Sequence, residues 1–489
     1  MPRCRTPLSI AGLFFAVIFT FAFAAPLRAA EKMNVIIILV DDWGWTDAGY
    51  AGSKLYETPH MDRLAARGTR FTNAYAACTV CSPTRAAMLT GKYPARTHIT
   101  DWIHGHNKPN AKLKPPQWTE LLPREETTIA EAVKPLGYAT VHIGKWHLGD
   151  KNEGYPDAHG FDRNLGGYER GQPPSYHAPY RIPTLEEGKP GEYLTDREAS
   201  EACKFIDANR EKPFLLYLPH YCVHTPLQAK KEKVEKYQAK IAKMKEDGTL
   251  GKQQHAVYAA MIESLDEALG AIMAKLQETK LAERTVIFLT GDNGGLTLNK
   301  ATDNSPARAG KGSAYEGGVR VPLVVYWPGV TKPGSVCDEP VITQDIFATA
   351  IEITGTTDPR GSAGVDGLSL TPVLKDSSAK LNRDAIYWHY PHYHPGGATP
   401  YAAIRARDWK LIEWYEDDRV ELYNLIDDIG ESKDSAKANP DKAASLTKQL
   451  HAWQKSVGAQ MPVPNPNHDP SGETAKPDKG KGKNKGKVN

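Results

Sequence analysis

Beyond residue 30 the chain lacks any apolar run long enough to cross a bilayer as a helix. It also lacks an excess of charge of one sign. With 61 Lys and Arg against 58 Asp and Glu the formal net charge is +3, and so balanced a chain gives no reason to expect a nucleic-acid partner. Cysteine is scarce, 6 in 489 residues, and a chain of this length needs no disulfide framework. Cys78-Thr-Val-Cys81 has the C-x-x-C spacing of redox and zinc sites, yet no second C-x-x-C or C-x-x-H completes it. Spacing fixes no pairing among Cys78, Cys203, Cys222 and Cys337. Internal repeats are absent as well.

What is present begins with Arg3 and Arg5, an apolar run over 8–25 and the small-residue site Ala22-Phe-Ala24. This is the form of a signal peptide over 1–30, cut after Ala24 or Ala30, and it predicts export to a periplasm or the exterior. An uncleaved anchor is the alternative, because the run is near bilayer length. After cleavage no stable membrane span is expected. At the other end, 476–487 carries Lys among Gly, Asn, Asp and Pro with nothing apolar to offset the entropy of ordering. A disordered basic tail is expected over 461–489, either simply solvated or weakly attracted to acidic polysaccharide or anionic envelope surfaces.

Between these ends, short apolar runs stop abruptly at polar residues. The run 35–40 ends at Asp41-Asp42, 139–143 at Gly144-Lys-Trp-His147, 214–218 near His220 and His224, and 286–289 at Asp292-Asn293. Such runs read as buried parallel strands. Helical spacing separates them at 59–67, 128–134 and 253–278, the last with Ala259, Ile262, Leu265, Leu269, Ile272 and Leu276 on one face. The expected fold is therefore α/β, a large, mostly parallel sheet with helices on both sides and ligands outside the carboxyl ends of its strands. This catalytic domain would occupy 31–375. A smaller antiparallel-sheet subdomain is expected over 376–460, from the β-like runs 402–405, 410–414 and 420–425 and a helix around 443–455, with a soft polar boundary at 376–382.

Asp41, Asp42, Asp292 and Asn293 offer only oxygen ligands, which suits a hard divalent cation rather than zinc. Pro83 fits the first turn of a helix over 82–89, which would put Cys81 at a helix N-terminus, where backbone N–H groups favour an anion. Arg85, one turn on, could hold anionic oxygens.

The run Cys81-Ser-Pro-Thr-Arg85, continuing through Ala-Ala-Met-Leu-Thr to Gly91, resembles the maturation motif of the sulfatase family. Thr84 stands where Ser or Ala is more frequent, with Cys-x-Pro-x-Arg intact. Gly144-Lys145-Trp146-His147-Leu148-Gly149 is similar to the family block that gives a lysine to the sulfate and a histidine to the nucleophile. Gly310-Lys311-Gly312, followed by Tyr315-Glu-Gly-Gly-Val-Arg-Val-Pro322, resembles the block whose lysine bridges sulfate and leaving oxygen. His224, in Tyr-Cys-Val-His-Thr-Pro, resembles the histidine that protonates the departing alcohol, with His220 a nearby competitor. The resemblance spans roughly 34–425 with its motifs in order.

It implies an alkaline phosphatase-like fold and a sulfuric ester hydrolase. It further implies Cα-formylglycine made from Cys81 by a formylglycine-generating or anaerobic sulfatase-maturating enzyme. One Ca²⁺ would be held by Asp41, Asp42, Cys81, Asp292 and Asn293. Catalysis would fall to Cys81, Arg85, Lys145, His147, His224 and Lys311. The segment Trp388-His-Tyr-Pro-His-Tyr-His394 mixes aromatic faces with polar edges, as carbohydrate sites do. With Arg96-Thr-His-Ile-Thr-Asp-Trp102 it resembles sulfatases near arylsulfatase A and the N-acetylgalactosamine sulfatases. His389, His392 and His394 are thus candidate contacts to a sulfated galactose or N-acetylgalactosamine of a polysaccharide or glycosaminoglycan fragment. Two alternatives stand beside this reading: a phosphodiesterase or phosphonate monoester hydrolase of the same superfamily, and an inactive exported sulfoglycan-binding protein.

Overall fold

The computed structural model describes residues 1–2, 32–151, 154–356 and 364–471. The expected signal peptide, with Cys4 and both cleavage sites, falls at residues outside the described ones, as does the chain after 471. No helix among the described residues is long and apolar enough to cross a membrane. Met33–Asn489 form one compact unit, and the following concerns its described part.

Eight strands build the main sheet: β1 (Asn34–Val40), β2 (Thr69–Phe71), β3 (Ala139–Ile143), β4 (Arg163–Leu165), β5 (Phe214–Pro219), β6 (Thr285–Gly291), β7 (Leu323–Tyr326) and β8 (Ser335–Cys337). Across the sheet they run β8-β2-β7-β6-β1-β5-β3-β4. Only β7 is antiparallel to its neighbours, β2 and β6. The mostly parallel sheet expected from the sequence is therefore present. Every residue of β1 is buried. Alternate side chains point to opposite faces, so Ile36, Ile38 and Val40 join one core while Val35, Ile37 and Leu39 join the other. A strand covered on both faces reads as an unbroken apolar run, which is why no alternation marks it.

Helices α1 (Pro59–Arg67), α3 (Leu194–Ala208) and α4 (Ala256–Glu278) cover the first face, through Leu64, Phe205 and Leu265. Helices α2 (Cys81–Thr90) and α5 (Gln344–Thr354) cover the second, through Met88, Leu89 and Phe347. The face of α4 read from spacing is buried at Ala259, Ile262, Leu265, Leu269, Ile272 and Leu276. Each large side chain there contributes about 1.5–3 kcal/mol. The helix expected over 128–134 is only Ile129–Val133. Thr128 caps it, accepting from the Glu131 amide while Glu131 accepts from the Thr128 amide, and Pro135 prevents its continuation.

Thr371–Lys375 is a short helix, after which the chain enters a four-stranded antiparallel sheet. Its strands β9 (Ile386–Tyr390), β10 (Tyr401–Ala406), β11 (Trp409–Trp414) and β12 (Arg419–Asn424) pair in sequence order. Helix α6 (Pro440–Val457) packs Leu446, Leu450 and Trp453 into the core of this sheet. The same core takes in Val80 and Ala87, at the start of and within α2, so the small sheet braces the helix that begins at Cys81.

The basic tail expected from 461 needs correction at its beginning. Val463–Pro464 pairs antiparallel with Leu113–Lys114, and Asn465 Nδ2 donates to the carbonyls of Pro109 and Ala111 at 2.9 and 2.7 Å. Composition judged this segment by its lack of burial, and Val463 is indeed 52% exposed. What orders it is hydrogen bonding by backbone and Asn side chains, which hydropathy does not register.

Candidate active site

Register brings the polar clusters together. Val40 pairs with Gly291 and Leu39 with Pro219, so Asp41-Asp42, Asp292-Asn293 and His220 all leave the sheet at one edge. Asp41, Asp42, Asp292 and Asn293 are each 0% exposed. The Asp42 amide donates to Asp292 Oδ1 at 3.2 Å, and Asn293 Nδ2 donates to Asp42 Oδ1 at 2.8 Å. After these bonds, Asp41 Oδ1, Asp42 Oδ2 and Asn293 Oδ1 are buried with no hydrogen-bond partner. Leaving a buried acceptor unmade costs about 1–3 kcal/mol, more for a charged one. Oxygens orphaned side by side at one strand edge are what a hard divalent cation satisfies, so these residues fit Ca²⁺. Asp292 Oδ1 accepts from the Asp42 amide and Oδ2 from Arg85, which fixes the carboxylate beside the other acids.

Three cations balance the three carboxylates. Lys145 Nζ lies 2.6 Å from Asp41 Oδ2, Lys311 Nζ 2.6 Å from Asp42 Oδ1, and Arg85 donates from Nε and Nη2 to Asp292 Oδ2 at 3.1 and 2.8 Å. Burial, then repulsion from Asp292, pushes the Asp41 carboxyl well above its ordinary range despite Lys145 and Arg85. At Asp42 burial acts the same way, but Lys311 and His224 outweigh it and hold the carboxyl far down. Burial of Asp292 is likewise outweighed by Arg85 and Lys145. Arg85 donates to Asp292 and, at 3.0 Å, to the Lys145 carbonyl, which fixes its guanidinium among the acids.

Cys81 is the first residue of α2, and no side chain caps that turn. The helix starts one residue earlier than the proline rule suggested, leaving Pro83 still within a first turn whose N–H groups have no intrahelical acceptor. Cys81 Sγ lies 3.3 Å from His147 Nδ1. The other ring nitrogen, Nε2, faces the Ile103 carbonyl and must donate to it, which leaves the Nδ1 lone pair toward Cys81. Burial, then Lys145, holds His147 neutral. Ser82 ties the elements together, donating to the His147 carbonyl at 2.9 Å and accepting from the Ile103 amide at 3.2 Å. Gly144, just before Lys145, has φ +112°, and a Cβ there would sit 2.2 Å from the Pro219 carbonyl oxygen, so only glycine lets this turn close on β5.

His224 Nε2 lies 3.7 Å from Asp42 Oδ2, and Nδ1 donates to the Thr225 carbonyl at 2.9 Å. Asp41, Asp42 and His224 bring candidate ligand atoms within 4.8 Å of one another. Burial and Lys311 press the His224 imidazole down to about 3. His220 Nδ1 is held 2.6 Å from Glu198 on α3.

The three C-terminal histidines part company. His394 reaches the site: Trp102 meets its ring edge-on at 5.1 Å, and a Cβ on Gly312 would come 1.9 Å from its Nδ1. His389 does not; it is 4% exposed, with its nitrogens 3.0 Å from Tyr415 Oη and 2.8 Å from the Gln460 carbonyl. His392 is 3% exposed and bonded to Thr100 Oγ1 at 2.8 Å. Both are buried, with both ring nitrogens of His389 and Nε2 of His392 bonded inside the protein.

Sequence reading missed the residues that fix the loops. Thr79 Oγ1 both donates to the Ser313 carbonyl and accepts from the Ser313 amide, each at 2.8 Å, and so locks the Lys311 loop onto the approach to Cys81. Lys410 of β11, fully buried, lies 3.0 Å from Glu316 and 2.9 Å from Glu431. No local pattern announces the Thr79–Ser313 or Lys410–Glu316 contact, since those partners are more than ninety residues apart.

The sulfatase family model matches residues 33–356, and a model for the C-terminal region of N-sulphoglucosamine sulphohydrolase matches 310–458. A sulfatase of Formosa agariphila is 32% identical over 87% of this chain and 89% of its own length. Human N-acetylgalactosamine-6-sulfatase is 32% identical over 74% of this chain and 69% of its own. Among solved structures, Ps i-CgsB in complex with k-i-k-neocarrahexaose superposes with a TM-score of 0.74 at 28% identity, covering 91% and 96% of the two chains. With two thirds of its length matched by the family model, the chain belongs to the sulfatase family and is a hydrolase of sulfuric esters.

Proposed function

We propose that this sulfatase removes sulfate from a sulfated polysaccharide or glycosaminoglycan fragment, at a galactose or N-acetylgalactosamine residue, after export from the cell. The observation that carries the mechanism is the trio of orphaned buried oxygens on Asp41, Asp42 and Asn293, in a cluster with the buried Lys145 and Arg85 and the partly buried Lys311. The names of the related N-acetylgalactosamine-6-sulfatases, and the neocarrahexaose held by the structural relative, support the saccharide class.

Formylglycine made from Cys81 supplies, as its hydrate, a hydroxyl nucleophile for sulfur. Asp41, Asp42, Asp292 and Asn293 would hold Ca²⁺, which would supply charge neutralisation for sulfate oxygens. The chain's own residues do the rest. His147 Nδ1 accepts a hydrogen bond at position 81 and orients the nucleophile. Lys145 and Lys311 bring positive charge to the place an anionic ester would occupy, and α2 presents an uncapped first turn to it. As the S–O ester bond breaks, the leaving oxygen needs a proton, for which His224 is placed beside Asp42. His224 is neutral at rest, so it donates only after taking up a proton, which the negative charge of a bound ester favours.

The test is sulfate release from a panel of defined sulfated saccharides by protein co-produced with a maturation enzyme, with mass spectrometry of the peptide containing residue 81. A formylglycine mass in active material and its absence from inactive material is the expected result; full activity with an intact thiol overturns the mechanism. Dominant turnover of aryl phosphate over aryl sulfate favours the phosphodiesterase alternative. Tight glycan binding by matured protein with no sulfate released favours the binding-protein alternative.

A further inference from the structure

We infer a second, anion-binding saccharide subsite beside the reaction centre, formed by residues 106–114, Tyr393 and the strap that follows α6. This rests on the reading of the substrate as a sulfated saccharide chain and specifies how a neighbouring sugar is held. From Trp102 to Thr119 the chain contains Lys108, Lys112 and Lys114 with His104 and His106 and not one acidic residue. All three lysines are exposed, and none is paired with a carboxylate among the described residues. A cavity of about 270 Å³ opens here, lined by His106, Lys108, Lys114, Tyr393, Asn465 and Asn467. Its composition, two ammonium groups beside an aromatic face and the amide side chains of Asn107, Asn465 and Asn467, suits a sugar ring bearing sulfate or carboxylate.

The subsite is continuous with the catalytic residues. Trp102 stacks on His106 at 6.3 Å and meets His394 at 5.1 Å, and His394 lies against Gly312, next to Lys311. It is also built rather than loose. The strap pairs at Lys114 and Leu113, the Asn465 amide donates to the Lys112 carbonyl at 2.9 Å, and the Asp469 amide donates to Asn110 Oδ1 at 2.8 Å. Lys108 Nζ sits 4.6 Å over the Tyr393 ring, which holds its charge at the cavity. A segment fixed in advance loses little freedom when a ligand arrives.

The experiment compares full-length matured enzyme with its Lys108→Ala/Lys114→Ala variant on 4-nitrophenyl sulfate and on a sulfated galactan hexasaccharide. For the aryl ester, kcat/KM should stay within about two-fold. For the hexasaccharide, KM should rise about ten-fold with kcat little changed, and Lys108→Arg/Lys114→Arg should restore most of the loss. An unchanged hexasaccharide KM in the alanine variant overturns the subsite. Calorimetric binding keeps the two readings apart, because it needs no turnover. Wild-type protein that binds the sulfated hexasaccharide about ten-fold tighter than the variant upholds the subsite even if no ester is cleaved. Equal affinity of wild type for the sulfated and desulfated hexasaccharides overturns it even in an active sulfatase.

Discussion

Two groups of lysines in this protein live by different rules. Lys145 and Lys311 at the reaction centre are each 2.6 Å from an aspartate, in surroundings where an uncompensated charge costs several kcal/mol. Lys108, Lys112 and Lys114 stand in solvent with no carboxylate partner among the described residues, where water screens them within about 8 Å. The first group must be held rigidly to exist at all, which is what stabilising a transition state requires. The second costs the fold almost nothing and can serve only to attract and hold. Chemistry and recognition are therefore divided by burial, not by residue type.

The largest expected break in this comparison is Cys81→Ala, which should lower sulfate-ester turnover by about 10⁴-fold or more while leaving glycan binding intact, read by rate assays and calorimetry together. Next, Lys311→Met should lower kcat by about 10²–10³-fold, a loss that no rise in substrate concentration restores. Metal removal should come third. A chelator should abolish turnover and lower the melting temperature, and Ca²⁺ at 100 times its Kd should return about 2.7 kcal/mol; a melting temperature indifferent to Ca²⁺ would contradict the orphaned-oxygen site.

Acid should expose the burial cost in a third place. His142 is 0% exposed among Trp146, Phe161 and Tyr217, and burial, then Arg85, lowers its imidazole to about 3. Between pH 6.5 and about 3 the unfolded chain binds a proton that the folded chain refuses, so stability falls with pH by up to about 1.4 kcal/mol per unit. His142→Gln should flatten that slope in urea titrations at successive pH values. The smallest effect belongs to the exposed lysines: raising salt from about 50 to 200 mM should weaken hexasaccharide binding several-fold and barely alter kcat for a small aryl ester.

The buried strands were legible because a sheet covered on both faces demands unbroken apolar runs, and β1, β3, β5 and β6 all supply them. Helix α4 was legible from the 3.6-residue spacing of Ile262, Leu265, Leu269 and Leu276. Side-chain direction was not. Arg85 sits one turn after Cys81, as its spacing requires, yet it turns to Asp292, 207 residues away. His389 and His394 share one aromatic segment, yet one is sealed against Tyr415 and Gln460 while the other reaches the Lys311 loop. The strap at 463–464 was misread because its order comes from a partner strand at 113–114.

The sequence alone determined the α/β class, the residue types at each strand end and the motif around Cys81, because those depend on local pattern and on which chemistry each side chain can perform. Tertiary structure alone decided that Asp41, Asp42 and Asn293 leave three oxygens unanswered, that His147 offers its Nδ1 lone pair to Cys81, and that a basic cavity adjoins them. These are facts about distance between segments hundreds of residues apart, and distance is set by strand register and packing rather than by any local preference.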